Sequence, residues 1–131
     1  MARRILIVDD EPDIVTSLEF LMRGSEYEVR VARNGEEALR RAESFRPDLI
    51  LLDVMMPRKS GFEVCQKIRE NPALRDVKIV VLTAKGRDLE KNRGLDLGAN
   101  AYVTKPFSTK ELMSTVRGLL HTADEPNPLR R

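Results

Sequence analysis

Apolar residues along the chain form short continuous runs that alternate with longer stretches of helical spacing. Three runs of strand length are rich in leucine and β-branched residues, at 5–8, 49–52 and 79–82. Such runs are typical of strands that are covered on both faces, as in a parallel sheet. Residues 27–31 alternate apolar and polar positions, which predicts a half-exposed edge strand, and residues 101–104 predict a short fifth strand.

Helices are predicted between these strands. Residues 12–23 place apolar side chains on one helical face, and Pro12 stands where a first-turn proline is tolerated. Three later segments begin with a polar residue followed three positions on by a glutamate, the spacing of a helix N-cap: Asn34, Ser60 and Ser108. Residues 88–97 predict a weaker helix, because their apolar residues are few and Gly94 lies among them. We expect this helix to be the least firmly packed.

Strand and helix therefore alternate five times, which predicts an α/β fold. Right-handed crossovers give a doubly wound, five-stranded parallel sheet with helices on both faces. With the edge strand second in sequence, the flavodoxin-like strand order 2-1-3-4-5 is expected. Residues 122–131 contain Pro126 and Pro128 without an apolar period, and they are predicted to be a C-terminal tail or the stub of a linker.

Composition narrows the class of protein. The 131 residues suffice for one domain, and 23 basic against 21 acidic residues, scattered along the chain, do not predict a nucleic-acid surface. A single cysteine, Cys65, excludes a disulfide framework, and a single histidine, His121, argues against a histidine-based zinc site. No apolar stretch approaches a membrane span and no signal peptide is recognisable, so we expect a cytoplasmic protein.

Polar residues with chemical potential follow the predicted strands, at the edge where open α/β sheets bind ligands. They are Asp9 and Asp10 after the first strand, Asp53 after the third, Thr83 after the fourth and Lys105 after the fifth. Three neighbouring carboxylates require a cation or a shared proton, and an all-oxygen ligand set favours Mg²⁺. Three aspartates, one lysine and one Mg²⁺ sum to zero charge.

A carboxylate beside Mg²⁺ and a lysine can act as a nucleophile in phosphoryl transfer. Asp53 is the best candidate, because it follows a central strand alone. The hydroxyl of Thr83 can donate a hydrogen bond to a phosphoryl oxygen, and Ala84 beside it is small enough to leave room for that group.

These segments resemble the receiver domain of bacterial two-component response regulators, from about residue 3 to residue 121. The motifs that carry the resemblance are Ile5-Leu6-Ile7-Val8-Asp9-Asp10-Glu11, Asp53-Val54-Met55-Met56-Pro57, Ser60-Gly61-Phe62-Glu63, Leu82-Thr83-Ala84 and Lys105-Pro106-Phe107. Together and in this order they are specific, and they identify residues 1–121 as a CheY-like receiver domain followed by the tail 122–131.

The resemblance implies that Asp53 is the phosphoacceptor, taking a phosphoryl group from the phosphohistidine of a histidine kinase. It implies that Asp10 binds Mg²⁺ directly, Asp9 mainly through water, and Asp53 and the backbone carbonyl of Met55 directly. Lys105 would pair with Asp53 and then with the phosphoryl group. A cis peptide bond would precede the proline that follows Lys105.

The resemblance also implies a switch formed by Thr83 and Tyr102. Thr83 would move toward the phosphoryl group and Tyr102 would turn inward behind it, although an aromatic residue on a terminal strand is by itself more typical of packing. The face formed by the fourth helix, fifth strand and fifth helix would change with them. Such a protein is a signalling module that catalyses only its own phosphorylation and dephosphorylation, and is not otherwise an enzyme.

The implied partners are a sensor histidine kinase or phosphotransfer protein, and a downstream protein or output domain. Direct contact with nucleic acid or membrane is not expected. The chain would be a monomer or a phosphorylation-dependent dimer. Lys91, Asp96 and Glu111 fit the acid–base dimer pattern of related regulators, whereas neutral residues stand where charges are usual, at Asn100, Ala101 and Thr115. Lys59 also departs from the apolar residue common in the family.

Two other functions were weighed against this reading. A Mg²⁺-dependent aspartyl-phosphate phosphatase of the haloacid-dehalogenase type requires a second aspartate two residues after the nucleophile, where this chain has Met55. A nucleotide-binding module requires a glycine-rich loop after the first strand. The acidic segment 9–11 stands there instead and would repel phosphates.

Overall fold

The computed structural model describes residues 2–54, 60–84 and 88–121, without the side chains of residues 88–91. Strands and helices alternate along this part of the chain. The strands are β1 (Arg4–Val8), β2 (Glu28–Ala32), β3 (Leu49–Asp53), β4 (Lys78–Ala84) and β5 (Ala101–Lys105). The helices are α1 (Pro12–Gly24), α2 (Gly35–Phe45), α3 (Gly61–Glu70), α4 (Asp88–Asp96) and α5 (Thr109–His121), with one 3₁₀ turn at Pro72–Leu74.

The five strands form one parallel sheet in the order β2-β1-β3-β4-β5, which confirms the predicted topology. The register brings the carboxyl ends of the strands level with one another. Val8 pairs with Leu52, so Asp9 and Asp53 follow at neighbouring positions. Ala84 pairs with Lys105, which places the end of β5 beside the end of β4.

Two apolar layers cover the sheet, one on each face. Alternate residues of the central strands point to opposite layers: Leu6 and Val8 pack with α2 and α3, whereas Ile5 and Ile7 pack with α1 and α5. All five residues of β3 are buried. The continuous apolar runs in the sequence follow from this arrangement, because a central parallel strand has no solvent-facing side.

The predicted helix starts are confirmed by their hydrogen bonds. The side chain of Asn34 accepts from the Glu37 amide at 2.9 Å, and Ser60 accepts from the Glu63 amide at 3.3 Å. Ser108 accepts from the amide of Glu111 at 3.0 Å. Each of these bonds satisfies a backbone amide that the first helical turn leaves without an intrahelical acceptor.

The fourth helix has one buried position in residues 92–96, the part whose side chains the structure describes. Among residues 92–96 of this helix, Gly94 is buried and Leu95 is 38% exposed. A Cβ atom at Gly94 would lie 3.1 Å from a methyl carbon of Val81. Within residues 92–96, the part of α4 whose side chains the structure describes, the contact with β4 is therefore made at a glycine. Within the described part of the chain, no helix has the length and apolar character needed to cross a membrane.

Candidate functional site

The turn between β1 and α1 carries the first two carboxylates of the site. Asp9 is fully buried, and one of its oxygens accepts a hydrogen bond from the amide of Glu11 at 2.9 Å. Its own amide donates to the carbonyl of Ala32 on β2 at 3.1 Å. Asp10 is exposed. The turn thus fixes one aspartate inside the edge of the sheet and leaves its neighbour open to solvent.

The third carboxylate belongs to Asp53, the last residue of β3, which is 4% exposed. One ligand oxygen from each of Asp9, Asp10 and Asp53 can be chosen so that all three lie within 4.8 Å of one another. The strand register therefore brings together the three aspartates that the sequence predicted to converge. An all-oxygen cluster of this size fits a hard divalent cation such as Mg²⁺.

Lys105, at the end of β5, contacts this cluster with its ammonium group, and its side chain is 16% exposed. Its Nζ lies 2.8 Å from Asp9, 3.1 Å from Glu11 and 3.6 Å from Asp53. Burial alone would lower the pKa of Lys105, but hydrogen bonds to Asp9 and Glu11 and the charge of Asp53 raise that pKa overall. The lysine is therefore a permanent cation at neutral pH.

The contacts of Lys105 add a residue to which the sequence reasoning assigned no role. Glu11 is part of the acidic motif, and the structure places its carboxylate on the lysine. The site then holds four carboxylates and one ammonium, and Mg²⁺ would leave a net charge of −1 rather than the predicted zero. The shortest contact of Lys105 is with Asp9, whereas the resemblance emphasised Asp53.

The remaining predicted groups lie on β4 and β5. Thr83 is 3% exposed and stands one residue beyond Leu82, which pairs with Asp53 in the sheet. Tyr102 is 39% exposed on β5. The peptide bond between Lys105 and Pro106 is cis, in agreement with the resemblance. Met55 and Lys59 lie outside the described residues.

Gly61 is a second functional position that the sequence reasoning quoted only as part of a motif. Its amide donates to the carbonyl of Val54 at 3.2 Å. A Cβ atom at this position would collide with the backbone carbonyl of Asp53. A glycine is required because the start of α3 packs directly on the backbone that carries Asp53. The sequence signal was the glycine after an N-cap serine, close behind the candidate nucleophile.

Comparison with known families gives one family for most of the chain. The family model described as the response regulator receiver domain matches residues 5–117. A curated relative, the alkaline phosphatase synthesis transcriptional regulatory protein PhoP of Bacillus subtilis, is 44% identical over 128 residues. The match covers 98% of this chain and 52% of that relative, so the chain spans about half of the relative's length.

Solved structures agree with the sequence match. The chemotaxis response regulator CheY4 of Vibrio cholerae has a TM-score of 0.86 and 32% identity, covering 92% of this chain and 100% of that chain. The receiver domain of a sensor histidine kinase from Pseudomonas aeruginosa has a TM-score of 0.84 and 32% identity, covering 92% and 98%. That structure contains a magnesium ion coordinated in its active site cleft.

Proposed function

This chain belongs to the response regulator receiver domain family, and we propose that it is a phosphorylation-dependent signalling switch with Asp53 as phosphoacceptor. One observation carries the proposal. Asp53 is a buried carboxylate whose oxygen lies 3.6 Å from the Lys105 ammonium, within a cluster that includes Asp9 and Asp10. A buried carboxylate in a cluster of charges is typical of a functional site rather than of a surface turn.

In the proposed reaction, a carboxylate oxygen of Asp53 attacks the phosphorus atom of a phosphohistidine on a kinase or phosphotransfer protein. The P–O bond forms as the P–N bond breaks, and the imidazole nitrogen keeps the bonding electron pair and takes up a proton. Lys105 stabilises the negative phosphoryl oxygens, and the hydroxyl of Thr83 donates a hydrogen bond to one of them. Hydrolysis later returns Asp53 to its free carboxylate.

The donor set of the site fits Mg²⁺. Asp9, Asp10 and Asp53 are the residues that would hold the ion, and its charge, when bound, neutralises the transferring phosphoryl group. The backbone carbonyl of Met55 is the further ligand implied by the family. Asp9 also touches Lys105 and is fully buried, whereas Asp10 is exposed. This difference supports the assignment of Asp10 as the direct ligand.

Phosphorylation changes the charge that Lys105 experiences. Asp53 carries −1, and its phosphorylated form carries about −2. The stronger negative charge draws Lys105 away from Asp9 and Glu11 and toward the phosphoryl group. Thr83 also moves toward the phosphoryl group. Tyr102, now 39% exposed, turns inward into the space behind Thr83. The face made by α4, β5 and α5 is then the surface that changes between the two states.

We further propose a sensor histidine kinase or phosphotransfer protein as donor and an output domain or downstream protein as target. The curated relative is a transcriptional regulatory protein of about twice this length, which supports an output domain as the target. The receiver itself contacts neither nucleic acid nor membrane in this proposal. Dimerisation, where it occurs, depends on phosphorylation.

The test is the intact mass of the protein after incubation with Mg²⁺ and acetyl phosphate. We expect the gain of one phosphoryl group that requires Mg²⁺ and that hydroxylamine removes, because hydroxylamine cleaves acyl phosphates. Asp53→Asn should show no gain. Asp13→Asn removes an exposed carboxylate of α1 outside the cluster, and this variant should gain one phosphoryl group as the wild type does.

Two outcomes would contradict the proposal. One is a folded protein that gains mass neither from acetyl phosphate nor from a phosphorylated histidine kinase. The other is phosphorylation that persists in Asp53→Asn at the wild-type rate. Release of many equivalents of phosphate from a small phosphate ester, lost in Asp53→Asn, would favour the phosphatase alternative.

A further inference from the structure

The side chain of Arg69, near the end of α3, connects three parts of the fold that the phosphorylation chemistry does not use. Its Nε donates to the carbonyl of Gly98 at 2.9 Å. One terminal nitrogen donates to the carbonyls of Val77 at 2.8 Å and Arg75 at 3.2 Å. The other donates to the side-chain oxygen of Asn100 at 2.8 Å. One planar guanidinium thus satisfies four acceptors from two chain segments.

Gly98 lies two residues beyond the end of α4, in the turn that follows this helix. The carbonyls of Gly94 and Leu95 accept from the amides of Ala99 and Gly98, so this turn satisfies the end of α4, and Arg69 binds the turn itself. Cys65, one turn before Arg69 on α3, directs its thiol to the adjacent carbonyl of Leu97 at 3.6 Å. Burial raises the pKa of this thiol, which therefore remains a neutral donor. Two residues of α3 thus bind carbonyls of the turn that follows α4.

The same contact fixes the start of β5. Asn100 pairs with Ile79 through both its backbone and its side chain: its amide donates to the Ile79 carbonyl, and its side-chain oxygen accepts from the Ile79 amide, each at 2.8 Å. Gly98 has a φ of +107°, and a Cβ atom there would lie 2.8 Å from the Arg69 side chain. The backbone at residues 98–100 is therefore shaped to receive the guanidinium.

These contacts lie at the end of the sheet opposite the phosphorylation site. β5 runs from Ala101, beside the anchor, to Lys105 in the site, about 13 Å for an extended strand of this length. The carboxyl half of α4 has two more contacts with its neighbours. Arg93 lies 4.5 Å from the centre of the Phe62 ring, and Gly94 approaches Val81.

We propose that Arg69 is a positioning residue that fixes the carboxyl end of α4 and the start of β5, with residues 98–100 as the boundary. The rearrangement that follows phosphorylation is then confined to the amino-terminal part of α4 and the carboxyl end of β5. This inference rests on the proposed function. Its chemical basis is that one guanidinium donates to four acceptors, two of them in residues 98–100 between α4 and β5.

Amide hydrogen exchange tests the anchor without phosphorylation. The amides of residues 97–100 are hydrogen-bonded to the carbonyls of Arg93, Leu95, Gly94 and Ile79. In Arg69→Met, we expect these amides to exchange about tenfold faster, while β1 and α1 remain unchanged. Lys67→Met, which removes an exposed cation from the same helix, should exchange like wild type. Unchanged exchange at 97–100 in Arg69→Met, or equal acceleration throughout the molecule, would overturn the proposal.

The second measurement uses the wild-type chain and does not depend on how well the variant folds. Exchange is compared with and without acetyl phosphate and Mg²⁺, with phosphorylation verified by mass. We expect changes in residues 88–94 and 103–105 and none at 97–100. Equal changes in both ranges would refute the boundary. Where acetyl phosphate gives no mass gain, a phosphorylated histidine kinase replaces it as donor. Absence of mass gain from both donors would contradict phosphorylation at Asp53, and the unphosphorylated comparison would still decide the role of Arg69.

Discussion

The carboxyl ends of β1 and β3 differ from the region of α4 and β5 in how firmly the chain holds them. All of β3 is buried, and Asp9 and Asp53 continue this buried surface into the site. In β5, by contrast, Val103 is buried while Tyr102 is 39% exposed, and α4 meets β4 through Gly94. The buried carboxylates proposed for chemistry thus lie on or directly beside β1 and β3, whereas Tyr102, proposed for the response, lies half-exposed on the edge strand β5.

The difference has a physical reason. Phosphoryl transfer requires oxygens and an ammonium held in a fixed geometry, and buried strands on both sides supply that rigidity. A response requires an element whose two arrangements differ little in free energy, which excludes dense apolar packing. In the proposed role of Arg69, the hydrogen bonds from Arg69 and Cys65 to the turn after α4 hold this element in place.

The largest contrast should appear in leucine truncations of the two regions. Leu51 is fully buried in β3, so Leu51→Ala should lower the free energy of unfolding by about 2–5 kcal/mol, through lost transfer energy and a cavity. Leu95→Ala in α4 should cost about 0.5 kcal/mol or less, because that side chain is 38% exposed. Urea unfolding measures both, and similar losses would mean that the two regions are packed alike.

Removal of the Lys105 ammonium group should have the next largest effect on stability. Lys105→Met leaves the fully buried Asp9 without its ion pair and should destabilise the fold by about 3 kcal/mol. Mg²⁺ should restore part of this loss, because a divalent cation neutralises the same carboxylates. Lys110→Met, which removes an exposed cation from α5, serves as control. If both variants unfold at the same temperature, the ion pair between Lys105 and the carboxylates does not contribute to stability, which would contradict this prediction.

The close contact behind Asp53 can be tested with glycine substitutions. Gly61→Ala forces a Cβ atom against the carbonyl of Asp53 and should cost about 1–3 kcal/mol while slowing phosphorylation. Gly118→Ala is the matched change in α5, where the new Cβ would meet no atom of another element within 4 Å among the described residues. It should be stabilising by up to about 1 kcal/mol through helix propensity. A Gly61→Ala protein with wild-type stability and phosphorylation rate would contradict the described packing.

The smallest effect concerns Tyr102. The chain has two tyrosines and no tryptophan, so Tyr27→Phe leaves Tyr102 as the fluorescent side chain. Phosphorylation should reduce quenching of its fluorescence by acrylamide, because the ring turns inward from its exposed position. Tyr102→Phe should change the free energy of unfolding by no more than about 0.5 kcal/mol, because the ring keeps its volume. Unaltered quenching in fully phosphorylated protein would contradict the inward movement.

Much of the fold could be predicted from periodicity alone. The apolar runs at 5–8, 49–52 and 79–82 identified the central strands, and the three N-cap residues identified helix starts that the hydrogen bonds confirm. The weak packing predicted for the fourth helix agrees with its described residues 92–96, of which Gly94 alone is buried. These features are local, because strand burial and capping act over a few neighbouring residues.

The contacts between distant segments could not be predicted in this way. Nothing in the spacing of Glu11 and Lys105 indicates that they lie 3.1 Å apart, since they are separated by 94 positions. The need for glycine at position 61 likewise depends on how the start of α3 packs on the backbone carbonyl of Asp53 in β3.

The sequence by itself therefore determined the central strands, the helix starts and the aspartates that meet at one edge of the sheet, because these follow from local periodicity and from the topology of parallel strands. The strand order was predicted partly by analogy with flavodoxin-like sheets. Only the tertiary structure decided how Lys105 is shared among Asp9, Glu11 and Asp53, and that Arg69 holds the end of α4. Side-chain directions and distances between remote segments arise from packing, which no single segment contains.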